Sequence, residues 1–302
     1  MKYFLIALIV TTFVMTGCKT TDDPDNPFQT MKDYLIANAM DVPDVLDAWI
    51  TSASAVGDSA TGTAAGYYVI DIRGAADFAL GHIDGAVNTT LDNVVNEAAN
   101  AGGDPILVVC YSGQSAGHAT VALRLSGYAN AKVLKWGMSG WHSDFDKWTS
   151  KCASPAVGDA NWTNDPVAAD MDYDDPTFTS DKTDGAEILA ERVDALLAGG
   201  FKGVDGTDVL ANPGNYFINN YWPQADVDTY GHIAGAHRIL PLTLAGNEYK
   251  KLDPSQTVVT YCWTGQTSSM MTAYLTVLGY DAKSLKNGVN SLIYSELQGH
   301  KW

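Results

Sequence analysis

Two short stretches of the chain place a cysteine between an apolar run and a glycine-containing turn. Cys110 follows the run ILVV and opens CYSGQSA, and Cys262 opens the matching stretch CWTGQTS. If each cysteine ends a parallel strand, its thiol lies at the sheet edge where ligands bind. Backbone N–H groups of the turn and the start of the next helix then favour a thiolate. Both cysteines are therefore predicted to be nucleophiles.

The other residues of the two turns are predicted to form loops that cradle a small anion bound to the sulfur. These loop residues are Tyr111, Ser112, Gly113, Gln114, Ser115 and Ala116, and then Trp263, Thr264, Gly265, Gln266, Thr267 and Ser268. Tyr111 and Trp263 are expected either to wall the mouths of the loops or simply to pack. One such cysteine could be a buried structural residue, but the repetition of the whole pattern favours reactive cysteines.

The chain contains an internal repeat. Gly-His-Ile occurs at 81–83 and 231–233, and AKVLKWG at 131–137 returns as AKSLKNG at 282–288. With the two cysteine turns, three landmarks recur in the same order. This indicates two copies of one domain. The predicted boundaries are a signal peptide at 1–17, a lipidated tether at 18–30, a first repeat at 31–152, an acidic linker at 153–184 and a second repeat at 185–302.

Short apolar runs alternate with helix-like segments in both repeats, which predicts an α/β fold in which each repeat is a parallel sheet flanked by helices. In the first repeat helices are expected near 31–38, 43–52, 75–80, 91–99, 115–126 and 141–148. Strands are expected there near 67–72, 86–88, 106–109 and 133–134. In the second repeat strands are expected near 216–218, 258–261 and 283–285.

Four segments of the first repeat resemble the rhodanese family in combination: VIDIR at 69–73, DF at 77–78, GHIDGA at 81–86 and CYSGQSA at 110–116. With the matching segments of the second repeat, the chain resembles a tandem rhodanese. The resemblance implies a sulfurtransferase in which a cysteine takes a sulfane sulfur from a donor such as thiosulfate, releases sulfite, and passes the sulfur to cyanide, a thiol or another acceptor. It implies no metal and no organic cofactor, only a cysteine persulfide.

The resemblance also assigns supporting residues. Asp71 and Arg73 brace the first loop, but the second repeat has Asn220 and Trp222 at the aligned positions, which puts its geometry in doubt. His82 and His232 precede a turn and are expected to be structural, with a general-base role as the alternative.

The position six residues after each cysteine separates this chain from related enzymes. Phosphatases and arsenate reductases of similar fold place there an arginine that clamps an oxyanion. Here the residues are Ala116 and Ser268, which argues against phosphatase chemistry.

The charge balance limits the partners. With 35 acidic and 18 basic residues the net charge is −17, which argues against nucleic acid. It also opposes the approach of the thiosulfate dianion unless Arg73, Lys135, Arg238 or Lys286 compensates. A low-molecular-weight persulfide or the persulfide of a partner protein is the alternative donor.

The N-terminus predicts export. Lys2 precedes an apolar stretch at 3–15 that is too short to span a membrane, and Thr16-Gly17-Cys18 resembles a bacterial lipobox. Cys18 is therefore the predicted lipidation site of an envelope lipoprotein that faces the periplasm or lies on the outer membrane. Membrane contact is expected through the lipid alone. An ordinary signal peptide is the alternative.

Cys152 and the acidic linker each allow two interpretations. Cys152 lies outside the motifs and is expected to be a free or buried thiol, with a resolving role toward Cys110 as the alternative. The acidic linker at 153–184 is expected to wrap the surface, or else to bind a cation or a partner.

The predicted function is sulfur transfer by an exported tandem rhodanese. One rival is a non-catalytic module that carries persulfide or binds a partner. Another is the handling of chalcogen oxyanions such as selenite or tellurite.

Overall fold

A computed structural model describes residues 26–58 and 62–302. Its helices are α1 Pro27–Ala37, α2 Val42–Val45, α3 Ala53–Val56, α4 Ala75–Leu80, α5 Val94–Ala98, α6 Gln114–Leu125, α7 Met138–Trp141, α8 Gly185–Gly199, α9 Gly206–Ala211, α10 Gln224–Tyr230 and α11 Gln266–Leu278. Short 3₁₀ helices cover Leu91–Asn93, Ala99–Ala101, Ser143–Phe145, Thr149–Lys151, Pro213–Asn215, Glu248–Lys251 and Gly288–Ser291.

The strands of the first repeat are β1 Ile50–Thr51, β2 Gly57–Asp58, β3 Thr63–Ala64, β4 Tyr68–Asp71, β5 Val87–Asn88, β6 Ile106–Val109 and β7 Lys132–Leu134. They are followed by β8 Trp162–Thr163, β9 Gly203–Val204, β10 Phe217–Asn220, β11 His232–Ile233, β12 Val258–Tyr261 and β13 Ala282–Leu285.

Each repeat forms its own parallel sheet, and the two sheets share the same order over four strands. In the first repeat the strand order is β1-β7-β6-β4-β5, and in the second it is β10-β12-β13-β9. Read from the opposite edge, the second order places β9, β13, β12 and β10 where the first has β1, β7, β6 and β4. The central strands β6 and β12 are buried along their whole length, as expected for parallel strands covered on both faces. The predicted α/β fold with two parallel sheets is confirmed.

The repeats meet along α6 and α11, the helices that follow the two cysteine turns. One continuous apolar cluster includes Val121 and Leu125 of α6 together with Met270 and Leu278 of α11. The approach is close, because a Cβ atom at Gly117 would lie 2.4 Å from Ser269 Oγ. Both cysteine turns are therefore brought to one interface.

The predicted tether is wrong at its last four residues, because α1 begins at Pro27. The Asn26 side chain accepts hydrogen bonds from the backbone N–H groups of Phe28 (3.1 Å) and Gln29 (3.3 Å), and proline follows it at the first helical position. Asparagine at the N-cap and proline at the next position are a strong helix start. Phe28 then packs on Tyr249 of the second repeat.

Two predicted helices are shorter than expected. The helix predicted at 43–52 ends at Val45, because Ile50 and Thr51 pair with β7 as strand β1. The helix predicted at 141–148 is replaced by α7 and the 3₁₀ turn Ser143–Phe145, with His142 in extended conformation between them. Predictions at 75–80, 106–109 and 258–261 are confirmed to the residue.

The acidic segment 153–184 packs on the second repeat. Strand β8 pairs antiparallel with β11, and the Tyr173 N–H donates to the Lys250 carbonyl at 2.7 Å. Asp175 and Asp170 form ion pairs with Lys250 and Lys251. Across the described ranges no group of three or more His, Cys, Asp or Glu side chains could hold a metal ion. The expected boundaries of linker and repeats stay predictions.

The predicted signal peptide, tether start and lipidation site at Cys18 lie outside the described residues. Among the residues that are described, every helix is too short or too polar to cross a membrane.

Candidate functional site

Cys110 stands where β6 ends and its sulfur receives two backbone hydrogen bonds. The N–H groups of Gly113 and Ala116 point at Cys110 Sγ, at 3.1 and 3.3 Å. The side chain is 1% exposed, so these donors act away from bulk water. Donors converging on a buried sulfur stabilise negative charge on it. The turn predicted as a cradle therefore has donors aimed at the predicted nucleophile.

Cys262 ends β12 in a related but different arrangement. Its sulfur accepts from the Ser268 N–H at 3.3 Å and lies 3.6 Å from the Ser268 hydroxyl. That hydroxyl is 2.8 Å from Ser284 Oγ on β13. The second sulfur thus has one backbone donor where the first has two, and the Cys262 thiol itself donates to the Ser268 hydroxyl oxygen. Ser268 was predicted as a loop residue, but its contact with Ser284 was not.

A glycine shapes each cysteine turn. Gly113 has φ 83° and Gly265 has φ 75°, both in the left-handed region that glycine adopts without strain. Space is also restricted, because a Cβ at Gly113 would lie 2.5 Å from Gln266 Oε1 and one at Gly265 would lie 2.5 Å from Gln114 Oε1. The turns of the two repeats are therefore in direct contact. Ser115 and Thr267 lie half-buried in the first turns of α6 and α11.

Asp71 and Arg73, which were predicted to brace the first turn, form a buried ion pair. Asp71 ends β4, and its carboxylate accepts from Arg73 Nε at 3.0 Å and Arg73 Nη2 at 2.7 Å. Arg73 also donates to the Gly81 carbonyl, which links β4 to the end of α4. At the aligned position of the second repeat, Trp222 stacks on Trp263 with ring centroids 4.2 Å apart.

The mouth of the first turn is held by Tyr111. Its hydroxyl donates to Asp77 Oδ2 at 2.6 Å and accepts from the Gly74 N–H at 3.3 Å. The hydrogen bond to Asp77 raises the pKa of Tyr111 above its usual range, because it favours the neutral phenol. Arg73 lies 6.0 Å from the centre of the Tyr111 ring. Tyr111 thus ties the turn to α4.

The mouth of the second turn is aromatic. Trp263 lies between Trp222 and His300, whose ring is stacked at 4.9 Å, and the edge of Tyr230 approaches at 5.4 Å. Both aromatic residues that follow the cysteines therefore contact defined partners at the turns.

The four basic residues considered as compensation are each engaged elsewhere. Arg73 pairs with Asp71, and Lys286 pairs with Asp205 at 2.8 Å. Arg238 Nε donates to the Trp222 carbonyl, and the Lys135 ammonium lies over the Trp136 ring. Among the described residues, the donors directed at the two sulfurs are backbone N–H groups, from Gly113 and Ala116 to Cys110 and from Ser268 to Cys262.

Both predicted histidines bond to backbone rather than to the cysteine turns. His82 Nδ1 lies 2.9 Å from the Phe78 carbonyl and its ring stacks on Phe78. The buried His232 bonds through both ring nitrogens, to the carbonyls of Ile233 and Asp165. These contacts fit the structural role expected for both.

Cys110, Cys152 and Cys262 are all free thiols. Cys152 lies half-buried with its Sγ 3.5 Å from the Trp148 carbonyl. Burial, with Asp146 nearby, raises the pKa of Cys152. A thiol of raised pKa is a poor nucleophile at neutral pH.

Trp148 was missed from the sequence, and so were the contacts between the repeats that are made by the two predicted loop residues Gln114 and Gln266. Trp148 Nε1 donates to the Ser112 carbonyl at 3.2 Å. Gln114 and Gln266 form hydrogen bonds across the interface between the repeats. The glutamine recurs at the same place in both turns, which is the signal that could have found the last two.

A family model described as rhodanese-like domain matches the chain twice, over residues 54–144 and 217–293. The matches cover more than half of the chain and include both cysteine turns and the central strands of both sheets, but not the edge strands β1 and β9. The chain therefore belongs to the rhodanese-like family, in tandem form, as the resemblance predicted.

Curated relatives are sulfurtransferases. Thiosulfate sulfurtransferase GlpE of Shewanella oneidensis is 39% identical over 75 residues, which are 24% of this chain and 74% of the relative. The protein of the same name from Pseudomonas entomophila is 37% identical over 83 residues, 27% of this chain and 76% of the relative.

Two solved structures also show a low similarity to this chain. One is a rhodanese-related protein from Thermoplasma volcanium, with a TM-score of 0.28 and 20% identity. The match covers 32% of this chain and 93% of that protein. The other is a thiosulfate sulfurtransferase from Pseudomonas aeruginosa, with a TM-score of 0.32 and 15% identity. The match covers 92% of this chain and 48% of that protein.

Proposed function

We propose that this rhodanese-like sulfurtransferase moves a sulfane sulfur through persulfides on Cys110 and Cys262. The observation that carries the proposal is the pair of N–H groups, from Gly113 and Ala116, that converge on the buried Cys110 sulfur. These donors stabilise a thiolate before transfer and the terminal sulfur of a persulfide after it.

The reaction has two steps that balance without a cofactor. In the first, the cysteine thiolate attacks the sulfane sulfur of the donor, and the bond from that sulfur to the donor breaks with its electron pair. Thiosulfate would leave as sulfite, and a donor persulfide would leave as a thiolate. In the second, cyanide or an acceptor thiolate attacks the outer sulfur, and the electron pair returns to the cysteine.

The charge pattern favours a persulfide donor over the thiosulfate dianion. Arg73, Lys135, Arg238 and Lys286 are engaged by other groups. The whole chain is acidic, with a net charge of −17. A dianion is therefore repelled at long range. Of these four cations, Arg73 and Lys286 are already paired with carboxylates. We expect a low-molecular-weight or protein-bound persulfide to load the cysteines faster than thiosulfate does.

A second candidate is a carrier that holds persulfide and hands it to a partner without fast turnover. The observation in its favour is the burial of Cys262, which is 3% exposed and precedes a tryptophan, Trp263, that stacks on Trp222 and His300. Such burial restricts access of small acceptors to the Cys262 sulfur.

The proposed location is the cell envelope. The support is the apolar stretch at 3–15 followed by Thr16-Gly17-Cys18. Incorporation of labelled palmitate that disappears in Cys18→Ala would support lipidation, and unchanged incorporation would refute it.

Turnover assays separate the two candidates. Thiosulfate with cyanide, and glutathione persulfide with a thiol acceptor, are compared on the wild-type chain, Cys110→Ser, Cys262→Ser and the control Cys152→Ser. Loss of turnover in Cys110→Ser with retention in Cys152→Ser supports the enzyme. Loading without turnover in the wild-type chain supports the carrier.

A further inference from the structure

Gln114 and Gln266 open α6 and α11 and are almost completely buried, at 6% and 2% exposure. Buried amides in proteins are paired with hydrogen-bond partners. Gln114 Oε1 accepts from the Asn287 backbone N–H at 2.7 Å, and Gln266 Oε1 accepts from the Trp136 backbone N–H at 2.9 Å. Each of these bonds crosses from one repeat to the other.

The other end of each amide stays in its own cysteine turn. Gln114 Nε2 donates to Ser112 Oγ at 3.0 Å, and Gln266 Nε2 donates to Thr264 Oγ1 at 3.1 Å. Each glutamine side chain therefore joins the cysteine turn of its own repeat to a backbone group of the opposite repeat.

The backbone group at the far end of Gln266 begins the turn that supports the Cys110 loop. In the turn that starts at Trp136, the Met138 N–H donates to the Cys110 carbonyl at 2.8 Å. The next N–H, that of Ser139, donates to the Tyr111 carbonyl at 3.2 Å. Gln266 is thus one hydrogen bond away from the segment that fixes the Cys110 backbone.

The same arrangement is found in the opposite direction. In the turn that starts at Asn287, the Val289 N–H donates to the Cys262 carbonyl at 3.1 Å. The Asn290 N–H donates to the Trp263 carbonyl at 3.2 Å. Gln114 therefore holds the turn that supports the Cys262 loop.

Both held residues have a left-handed backbone. Trp136 has φ 67° and Asn287 has φ 61°. This region is unfavourable for a bulky residue such as tryptophan and persists only where surrounding contacts fix it, whereas asparagine adopts it more readily. The glutamine oxygens bind the N–H groups of these same two residues. The bond from Gln266 is therefore placed at a strained residue, Trp136.

We propose that Gln114 and Gln266 are positioning residues, and that each sets the geometry of the cysteine loop in the opposite repeat of the same chain. The proposal rests on the proposed sulfur transfer as the reaction that they affect. Without the glutamine oxygen, a buried N–H loses its partner and the supporting turn relaxes. The donors that converge on the opposite sulfur then lose their alignment.

The test measures each cysteine alone. In chains carrying Cys152→Ser, the change Cys110→Ser leaves Cys262 as reporter, and Cys262→Ser leaves Cys110. Gln114→Met keeps the volume and removes the acceptor. We expect it to slow both persulfide loading from glutathione persulfide and iodoacetamide alkylation at Cys262 by roughly five- to tenfold, the loss of one buried hydrogen bond. Gln266→Met should do the same at Cys110.

Rescue separates positioning from general destabilisation. Gln114→Glu keeps an oxygen that accepts from the Asn287 N–H, and it should restore Cys262 to within about twofold of the parent rate, because the acceptor is retained. General unfolding would instead expose the buried thiols and speed alkylation. The matched control is Gln224→Met, on the exposed face of α10, which should leave both rates unchanged.

Two results would overturn the proposal. One is an effect of Gln114→Met on Cys110 alone, with Cys262 unchanged, and the other is failure of Gln114→Glu to restore Cys262. A parent chain that is alkylated but never loads sulfur would refute the proposed function. The alkylation rates would still decide whether each glutamine acts on the cysteine of the opposite repeat.

Discussion

Asn220 in the second repeat occupies the register position that Asp71 occupies in the first. Asp71 lies opposite Val109 on the neighbouring strand, and Asn220 lies opposite Tyr261, one residue before each cysteine. Asp71 is bound by Arg73, whereas the buried Asn220 amide has no hydrogen-bond partner in the described part of the chain. The two sites therefore share a fold but not the bracing beneath it.

The buried ion pair gives a prediction for the first repeat. Asp71→Asn leaves the Arg73 guanidinium without its counter-charge at 4% exposure, and removing one partner of a buried pair typically costs about 3–5 kcal/mol. We expect the free energy of unfolding, measured in urea, to fall by that amount. Asp92→Asn, at an exposed position, is the control. A loss below about 1 kcal/mol, the range of exposed pairs, would contradict the bracing role.

The hydroxyl beside Cys262 gives a prediction for the second repeat. Ser268→Ala removes a group 3.6 Å from the Cys262 sulfur. Once Cys262 is ionised, this hydroxyl can rotate to donate to the sulfur. A hydrogen bond to a charged group contributes about 1.5–3 kcal/mol, so persulfide formation at Cys262 should slow by about tenfold or more. Formation at Cys110 should be unchanged.

Ser269→Ala is the matched control for this change. Ser269 is the next residue of α11, and its hydroxyl donates to the Gln266 carbonyl rather than toward the sulfur. Equal slowing by both substitutions would assign the effect to helix packing instead of to the Ser268 hydroxyl.

His118 predicts a pH dependence of stability. It is fully buried on α6 against Phe201, and its ring nitrogens lack hydrogen-bond partners of good geometry within the described residues. Burial lowers its pKa to about 4. Between the unfolded pKa of about 6.5 and the folded pKa, the unfolded chain binds a proton that the folded chain does not. Stability is therefore present above pH 6.5 and is lost as pH falls toward 4.

From pH 7.5 to 5 this residue should remove about 2 kcal/mol from the free energy of unfolding. The pH dependence in His118→Leu should be weaker by that amount, measured in urea at both pH values. His142→Leu, at an exposed position, should keep the full dependence. An unchanged slope in His118→Leu would show that the proton uptake belongs to other groups.

Two of the elements that the sequence predicted to the residue are completely buried. The apolar runs at 106–109 and 258–261 give central strands, because their four residues pack on both faces. The position of each cysteine at the end of a central strand was likewise predicted from the apolar run that precedes it. The alignment of the two repeats equates Asn220 with Asp71 and Trp222 with Arg73. The observed strand register agrees with it, because Asn220 and Asp71 each pair with the residue before a cysteine.

Contacts between the repeats could not be read from local patterns. The Gln114 and Gln266 bonds join residues more than a hundred positions apart, and nothing in either turn states which surface it will face. The start of α1 was missed although its signal is local, since the Asn26 cap and Pro27 follow a polar stretch that resembles a tether. The segment at 141–148 was predicted as a helix, but its last residue, Trp148, donates to the Ser112 carbonyl of the cysteine turn instead.

The most direct test of the central claim is intact-protein mass spectrometry of the chain from Lys19 onward, treated with thiosulfate and separately with glutathione persulfide. Cys110→Ser and Cys262→Ser are measured in parallel. The account predicts a gain of the mass of one sulfur atom at each cysteine, lost on addition of cyanide and abolished site by site in the variants. No adduct from either donor, with both thiols shown to be reduced, would contradict it.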